Sequence, residues 1–229
     1  NMTGAQNVAI GLKSLLVNIA HSENTAVGSC ALYNNRAHKN VAIGNEALKA
    51  NTSGYENTAT GTCSLFANTT GADNTAVGYQ SLVANTIGDY NTAVGTFALA
   101  ANTTGAKNTA VGNCALDANT CGHRNVAIGE TSMQANTTGY HNVAVGRSSL
   151  YLNTTGNENT ASGIYALFRN TSGGGNTASG KYSLGKNTSG SHSVAHGYYA
   201  LLNNTTASYN TAVGACTLYA NTTGAHNTA

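Results

Sequence analysis

The chain has 229 residues, carries a formal net charge of +2 and is only 8% charged, so no basic stripe exists to follow a phosphate backbone and a nucleic-acid partner is not expected. No run approaches the ~18 apolar residues needed to span a bilayer, and no signal-like apolar segment opens the chain. Hydrophobic residues make up 41%, yet only three are Phe and none is Trp, which suits a thin core of Ala, Val and Leu.

From Asn7 onward one 17-residue unit recurs, beginning at Asn7, Asn24, Asn40, Asn57, Asn74, Asn91, Asn108, Asn125, Asn142, Asn159, Asn176, Ser193 and Asn210. The unit reads N-[TV]-A-[VI]-G-x-x-[AS]-L-x-A-N-T-T-G-x-x, and only the step from Asn24 to Asn40 is one residue short. A unit of this length cannot fold alone, is too short for the helical repeats, and must stack. Proline is absent and Gly recurs after the NTAV and NTT segments, which predicts short strands separated by Gly and Asn turns. The expected fold is all-β: a parallel β-solenoid (β-roll or β-helix) of about thirteen 17-residue coils. Residues 1–229 read as a single array without a divergent capping coil at either end, a window of a longer solenoid fibre. Thirteen coils at the strand spacing give a rod roughly 60 Å long.

Position nine of the unit is Leu twelve times and Met133 once, the best candidate for a core column. Position four suggests a second core stripe through Ile10, Val27, Ile43, Val77, Val94, Val111, Ile128, Val145 and Val213, interrupted by Thr60, Ser162, Ser179 and His196. Positions one and twelve are Asn columns whose stacked amides are expected to bond along the array, and position thirteen is Thr from Thr52 to Thr222. Position three is always Ala and position five always Gly, which implies a close approach. A sister chain packed on that stripe is expected, with the coil's own second segment as the alternative. The 16-residue unit at 24–39 is expected to be a local defect, with Arg36 where the Thr column should run.

The pentapeptide Asn7-Val8-Ala9-Ile10-Gly11 and its counterparts at 40–44 and 125–129 resemble the (S/N)-V-A-I-G motif in the heads of YadA-like trimeric autotransporter adhesins. The whole chain is also similar to the NTAVG/NTTG repeat arrays of tail-fibre-like and bacterial surface proteins, most closely over residues 74–88. The resemblance implies a left-handed parallel β-roll and trimeric assembly. The period of 17 departs from the adhesin-head repeat, nearer 14, and residues 1–229 contain neither the heptads of a coiled-coil stalk nor an anchor-like apolar run.

Four of the five cysteines, Cys30, Cys63, Cys114 and Cys216, share position seven, where the nearest pair is two coils or roughly 10 Å apart. That exceeds disulfide reach; Cys114 and Cys121 share a unit but sit on different segments. His141, His192 and His226 share position seventeen too many coils apart for one metal ion's shell, so no transition-metal site is expected. Glu56, Asp73 and Asp89 offer either solvated turn charges or oxygens for Ca²⁺. No nucleophile–base arrangement recurs on one face and no phosphate-loop spacing appears; neither an enzyme nor a cofactor is expected. Tyr165, Tyr182 and Tyr199 occupy position seven in three consecutive coils, either as an aromatic ladder or as a platform for sugar rings. Sequons at Asn51, Asn68, Asn102, Asn136, Asn153, Asn170, Asn187, Asn204 and Asn221, with others at Asn1 and Asn203, are either glycan acceptors on exposed turns or a coincidence of the NTT turn.

Together these features predict a self-associating structural segment of an extracellular, cell-surface or virion fibre. An adhesin or receptor-binding module touching glycans is the alternative. Ice binding is a further one, but position fourteen is interrupted by Ile87 and Cys121 and faces away from the Thr column.

Overall fold

The computed structural model describes residues 3–229, and the sequon at Asn1 lies outside them. The chain is all-β, in two compact units that meet in sequence between Cys114 and Ala115. The first holds β1 (Val8–Ile10), β2 (Thr25–Val27), β3 (Val41–Ile43), β4 (Thr58–Thr60), β5 (Thr75–Val77), β6 (Thr92–Val94) and β7 (Thr109–Val111). The second holds β8 (Val126–Ile128), β9 (Val143–Val145), β10 (Thr160–Ser162), β11 (Thr177–Ser179), β12 (Val194–His196) and β13 (Thr211–Val213). Within each unit consecutive strands pair in parallel and in register, Ala76 opposite Ala93 and Ala161 opposite Ala178. Each coil is one turn of a parallel β-solenoid.

Strand alternation decides what the coil encloses. The middle residue of each strand points inward, and Ala26, Ala42, Ala59, Ala76, Ala93 and Ala110 are fully buried. Opposite them stand Leu32, Leu48, Leu65, Leu82 and Leu99 in the first unit, and Leu116, Met133, Leu150, Leu167, Leu184 and Leu201 in the second, all at 0% exposure. Ala and Leu together therefore fill an interior one large side chain wide. Position four lies two residues along the strand from position two and shares its outer face. Ile43 is 42% exposed, Val94 37% and Val213 58%, so the expected second core stripe is instead an apolar stripe on the surface.

The same geometry corrects the expectation that a sister chain explains the invariant Ala and Gly. Ala is small because it faces Leu inside the coil. Gly at position five ends the strand with φ near +130°, in a region closed to other residues, and a Cβ on Gly78 would lie 2.5 Å from the carbonyl oxygen of Gly95. The next coil, rather than a second chain, sets that limit.

Polar atoms inside the coil are satisfied by two Asn ladders. Asn74 Oδ1 accepts the backbone N–H of Asn91 at 2.9 Å and its Nδ2 at 3.2 Å. On the second ladder Asn85 Nδ2 donates to Asn68 Oδ1 at 2.8 Å. The ladders meet at the turn, where Gly88 O accepts Asn74 Nδ2 at 2.8 Å and Asn85 Nδ2 at 3.0 Å. Gly156 O does the same for Asn142 and Asn153 in the second unit. The Thr column is spent on the same task, Thr69 Oγ1 donating to Thr86 O at 3.0 Å and Thr154 Oγ1 to Thr171 O at 3.0 Å. Its hydroxyl protons face the next coil rather than solvent, so this column does not present the regular hydroxyl donors that ice binding would need.

The short coil at 24–39 keeps the first ladder, Asn40 N donating to Asn24 Oδ1 at 3.0 Å, but interrupts the second, because Asn35 Nδ2 does not reach Asn18, whose amide is turned to His21. Ala37 O stands in for the turn glycine, accepting Asn24 Nδ2 at 2.9 Å and Asn35 Nδ2 at 2.8 Å, and Asn51 Nδ2 reaches Asn35 Oδ1 at 2.7 Å. The lost residue comes out of the outer turn. There Arg36 N alone bonds Thr52 O, whereas Thr52, Ser53 and Gly54 all converge on Thr69 O one coil later.

Three further corners of the coil use left-handed backbone, at non-glycine residues everywhere but Gly175, as at Gln80 (φ 53°), Leu82 (φ 51°) and Tyr90 (φ 57°). Each costs roughly 1 kcal/mol or more, which the ladders and the buried column offset. Gln80→Gly is therefore expected to leave stability within about 0.5 kcal/mol of the parent, because relief of this strain cancels the added chain entropy. A loss beyond about 1.5 kcal/mol in urea unfolding would show that the corner is not strained.

Candidate functional site

Left-handed corners at Tyr165, Tyr182 and Tyr199 turn three phenol rings outward from successive coils. The rings stack, with centroids 4.8 Å and 5.3 Å apart and planes 21° apart in both pairs. Cations border the column: Arg147 Nη2 donates to the Tyr165 hydroxyl at 3.0 Å, and Lys181 Nζ lies 5.7 Å from the Tyr182 ring centre. Tyr198 leans on Tyr199 at 4.0 Å, and its hydrogen bond to the Tyr199 hydroxyl raises that phenol above its ordinary value.

Beside this column runs position ten, carrying Tyr151, Phe168, Gly185, Leu202 and Tyr219. Tyr151 and Phe168 stack at 5.2 Å, and Phe168 meets Tyr165 edge to face at 5.3 Å. Gly185 interrupts the row at a notch of about 290 Å³ lined by Phe168, Arg169, Tyr182, Lys186, Tyr199 and Leu202. Sequence reasoning found the tyrosines but missed Gly185, Arg169 and Lys186. The available signal was a glycine in a row of large side chains, in a stretch from Asn159 to Ala229 that contains no Asp or Glu.

A second cavity, about 350 Å³, opens at the turn of the short coil among His21, Arg36, His38, Lys39, Tyr55 and Glu56. Lys39 pairs with Glu56 at 3.1 Å, and His38 Nδ1 accepts the Ser22 N–H at 3.1 Å. His21 meets His38 edge on at 4.9 Å; burial, then the neighbouring His38, pushes the His21 imidazole below its usual value.

The sequons prove to be the second Asn ladder. Asn51, Asn68, Asn102, Asn136, Asn153, Asn170, Asn187 and Asn204 are fully buried, and their Nδ2 atoms donate inward, as Asn136 Nδ2 does to Asn119 Oδ1 at 2.8 Å. Asn221 is half-buried and makes the same bonds, to Asn204 Oδ1 and Gly224 O. A glycan on these nitrogens would displace a ladder bond and put a sugar into the coil interior, which favours the reading of these sequons as a coincidence of the NTT turn. Asn203 differs, lying half-buried at the surface with Nδ2 donating to Tyr219 O.

All five cysteines are free thiols; burial, then Glu46, pushes the Cys63 thiol up. His192, Tyr209 and His226 form a second aromatic stack, with centroids 5.3 Å and 5.0 Å apart. Asp89 Oδ1 accepts the Ala72 N–H at 2.8 Å, and burial followed by Glu56 raises the Asp73 carboxyl. Among the described residues no group of three or more His, Cys, Asp or Glu comes close enough to hold a metal ion, and no helix is long and apolar enough to cross a membrane. No family model, curated protein or solved structure matches this chain.

Proposed function

We propose that this chain is a non-enzymatic structural segment of an extracellular, cell-surface or virion fibre that associates laterally with copies of itself. The observation that carries the reading is the pair of Asn ladders within each unit, which hydrogen-bond coil to coil and leave the sequence at positions six, seven, ten, sixteen and seventeen free to vary. The outer strand face supports lateral association. In the first unit Val77, Val94 and Val111 form an exposed row over three consecutive coils, with Ile43 beyond Thr60, and no charged side chain stands at positions two or four. An uncharged face of alternating Thr and Val rows is a surface that a second copy of the same face can pack against.

Changing Val77, Val94 and Val111 to Lys is expected to give folded chains of lower mass by light scattering, since like charges on successive coils oppose pairing. Equal masses for parent and variant would overturn lateral association through this face. A monomeric parent that shows thermal hysteresis would assign the face, with its parallel rows of Thr75, Thr92 and Thr109 and of Val77, Val94 and Val111, to ice instead. An adhesin is the second reading, favoured by the stacked Tyr column in a stretch free of carboxylates.

A further inference from the structure

We propose that the notch at Gly185 binds an acidic saccharide, one uronic-acid-type ring lying against Tyr182 and Tyr199 with its carboxylate between Arg169 and Lys186. This deepens the adhesin reading and rests on it.

Gly185 is the first reason. Its φ lies outside the left-handed region, so its backbone does not require glycine. The added Cβ would meet Leu202 Cδ1 at 3.0 Å, the end of a flexible side chain, and Tyr182 O at 3.0 Å. Phe168 and Leu202 occupy the same position in the coils before and after it, so the coil accepts bulk there. The glycine thins the row at this coil, and Leu202 leans over it, so Gly185 itself lies buried at the floor of the notch. A notch of about 290 Å³ sits at the lower end of ligand-pocket volumes, suited to one sugar ring rather than a long chain.

The walls give the chemistry. Tyr182 and Tyr199 are half-buried, and stacking on Tyr165, on each other and on Tyr198 occupies their faces, so they offer the notch rigid ring edges for a pyranose to pack against with little side-chain entropy left to lose. Arg169 and Lys186 are exposed, and no carboxylate occurs in the sequence from Asn159 onward to neutralise them. Lys186 Nζ is steadied by Asn203 Oδ1 at 2.8 Å, and the Arg169 guanidinium has no hydrogen-bond or ion-pair partner among the described residues. A guanidinium fork matches a carboxylate with two parallel hydrogen bonds, which a neutral hydroxyl cannot accept in that geometry. Because both cations are solvent-facing, binding weakens with salt.

The test is calorimetric titration of the full chain with oligogalacturonate, with the neutral galactose oligomer and with sodium sulfate. Oligogalacturonate is expected to bind at least tenfold more tightly than either, to lose at least tenfold in Arg169→Gln, and to lose detectable binding in Gly185→Leu, which fills the notch. Unchanged melting of Gly185→Leu confirms that loss of binding is not loss of fold; Gly185→Ala replaces it if the larger side chain is not accommodated. Sulfate binding as tight as the oligosaccharide overturns the saccharide assignment. Full binding by Gly185→Leu overturns the location. Binding of the neutral oligomer alone, abolished by Tyr182→Ser, overturns the acidic notch and keeps the adhesin reading, whereas failure of every saccharide sinks both.

Discussion

Leu99→Asp is expected to abolish cooperative folding of the unit that ends at Cys114. Leu99 is fully buried, and each coil encloses only one such large side chain. Losing it forfeits about 1.5–3 kcal/mol of apolar burial. The carboxylate then faces Ala and Leu side chains with no cation in reach, which costs several kcal/mol more. The sum is comparable to the whole stability of an ordinary domain, roughly 5–15 kcal/mol. Leu99→Ala, which leaves a cavity but no charge, is expected to cost about 2–5 kcal/mol and to remain folded. The two variants also differ in pH dependence. Burial raises the folded-state pKa of the introduced Asp above its unfolded value, so the Asp variant is most stable in acid and loses stability as pH rises through that interval. Circular dichroism melts of both variants at neutral and acidic pH check this. An Asp variant melting within a degree or two of the parent would remove Leu from the core.

How much of this was legible in the sequence follows from what a repeat can and cannot encode. The coil period, the Leu column and the Asn ladders were readable, because one residue type recurring at one position has to meet itself in the next coil. The face of a three-residue strand was misread. Val94 looks like core by hydropathy, yet the alternation that buries Ala93 turns Val94 outward, and taking the invariant small residue as the inward one would have settled it. Asn136 shows a different failure: its sequon is a statement about neighbours in sequence, whereas its burial depends on Asn119 one coil earlier. The left-handed corners at Gln80 and Leu82 left no trace in residue choice, since the ladders hold residues there that local preference alone would exclude. Gly185 was hidden among repeat glycines because it stands at a position where the unit has no rule.

Asn74→Leu is expected to cost about 3–6 kcal/mol although it is nearly isosteric and more apolar, because the penalty falls on the groups left behind. Asn74 Oδ1 is the acceptor for Asn91 N and Nδ2, while Asn74 Nδ2 serves Asn57 Oδ1 at 3.1 Å and Gly88 O at 2.8 Å. Two of these partners have other bonds: Gly88 O keeps Asn85 Nδ2, and Asn57 Oδ1 keeps the Asn74 backbone N–H at 3.0 Å. The backbone N–H of Asn91 has no substitute and, with one amide hydrogen of the same residue, is stranded in a dry interior. The chain itself supplies the control. At Ser193 the ladder carries a hydroxyl instead, and Asn210 N still finds Ser193 Oγ at 3.2 Å. Asn74→Ser keeps an acceptor in reach of Asn91 N, so it is expected to cost less than half as much as Asn74→Leu despite losing more side-chain volume. Urea unfolding of the two variants decides the matter. Equal losses, or a larger loss for Ser, would mean that volume rather than the acceptor is what Asn contributes, and the ladder would then be a consequence of the fold and not one of its causes.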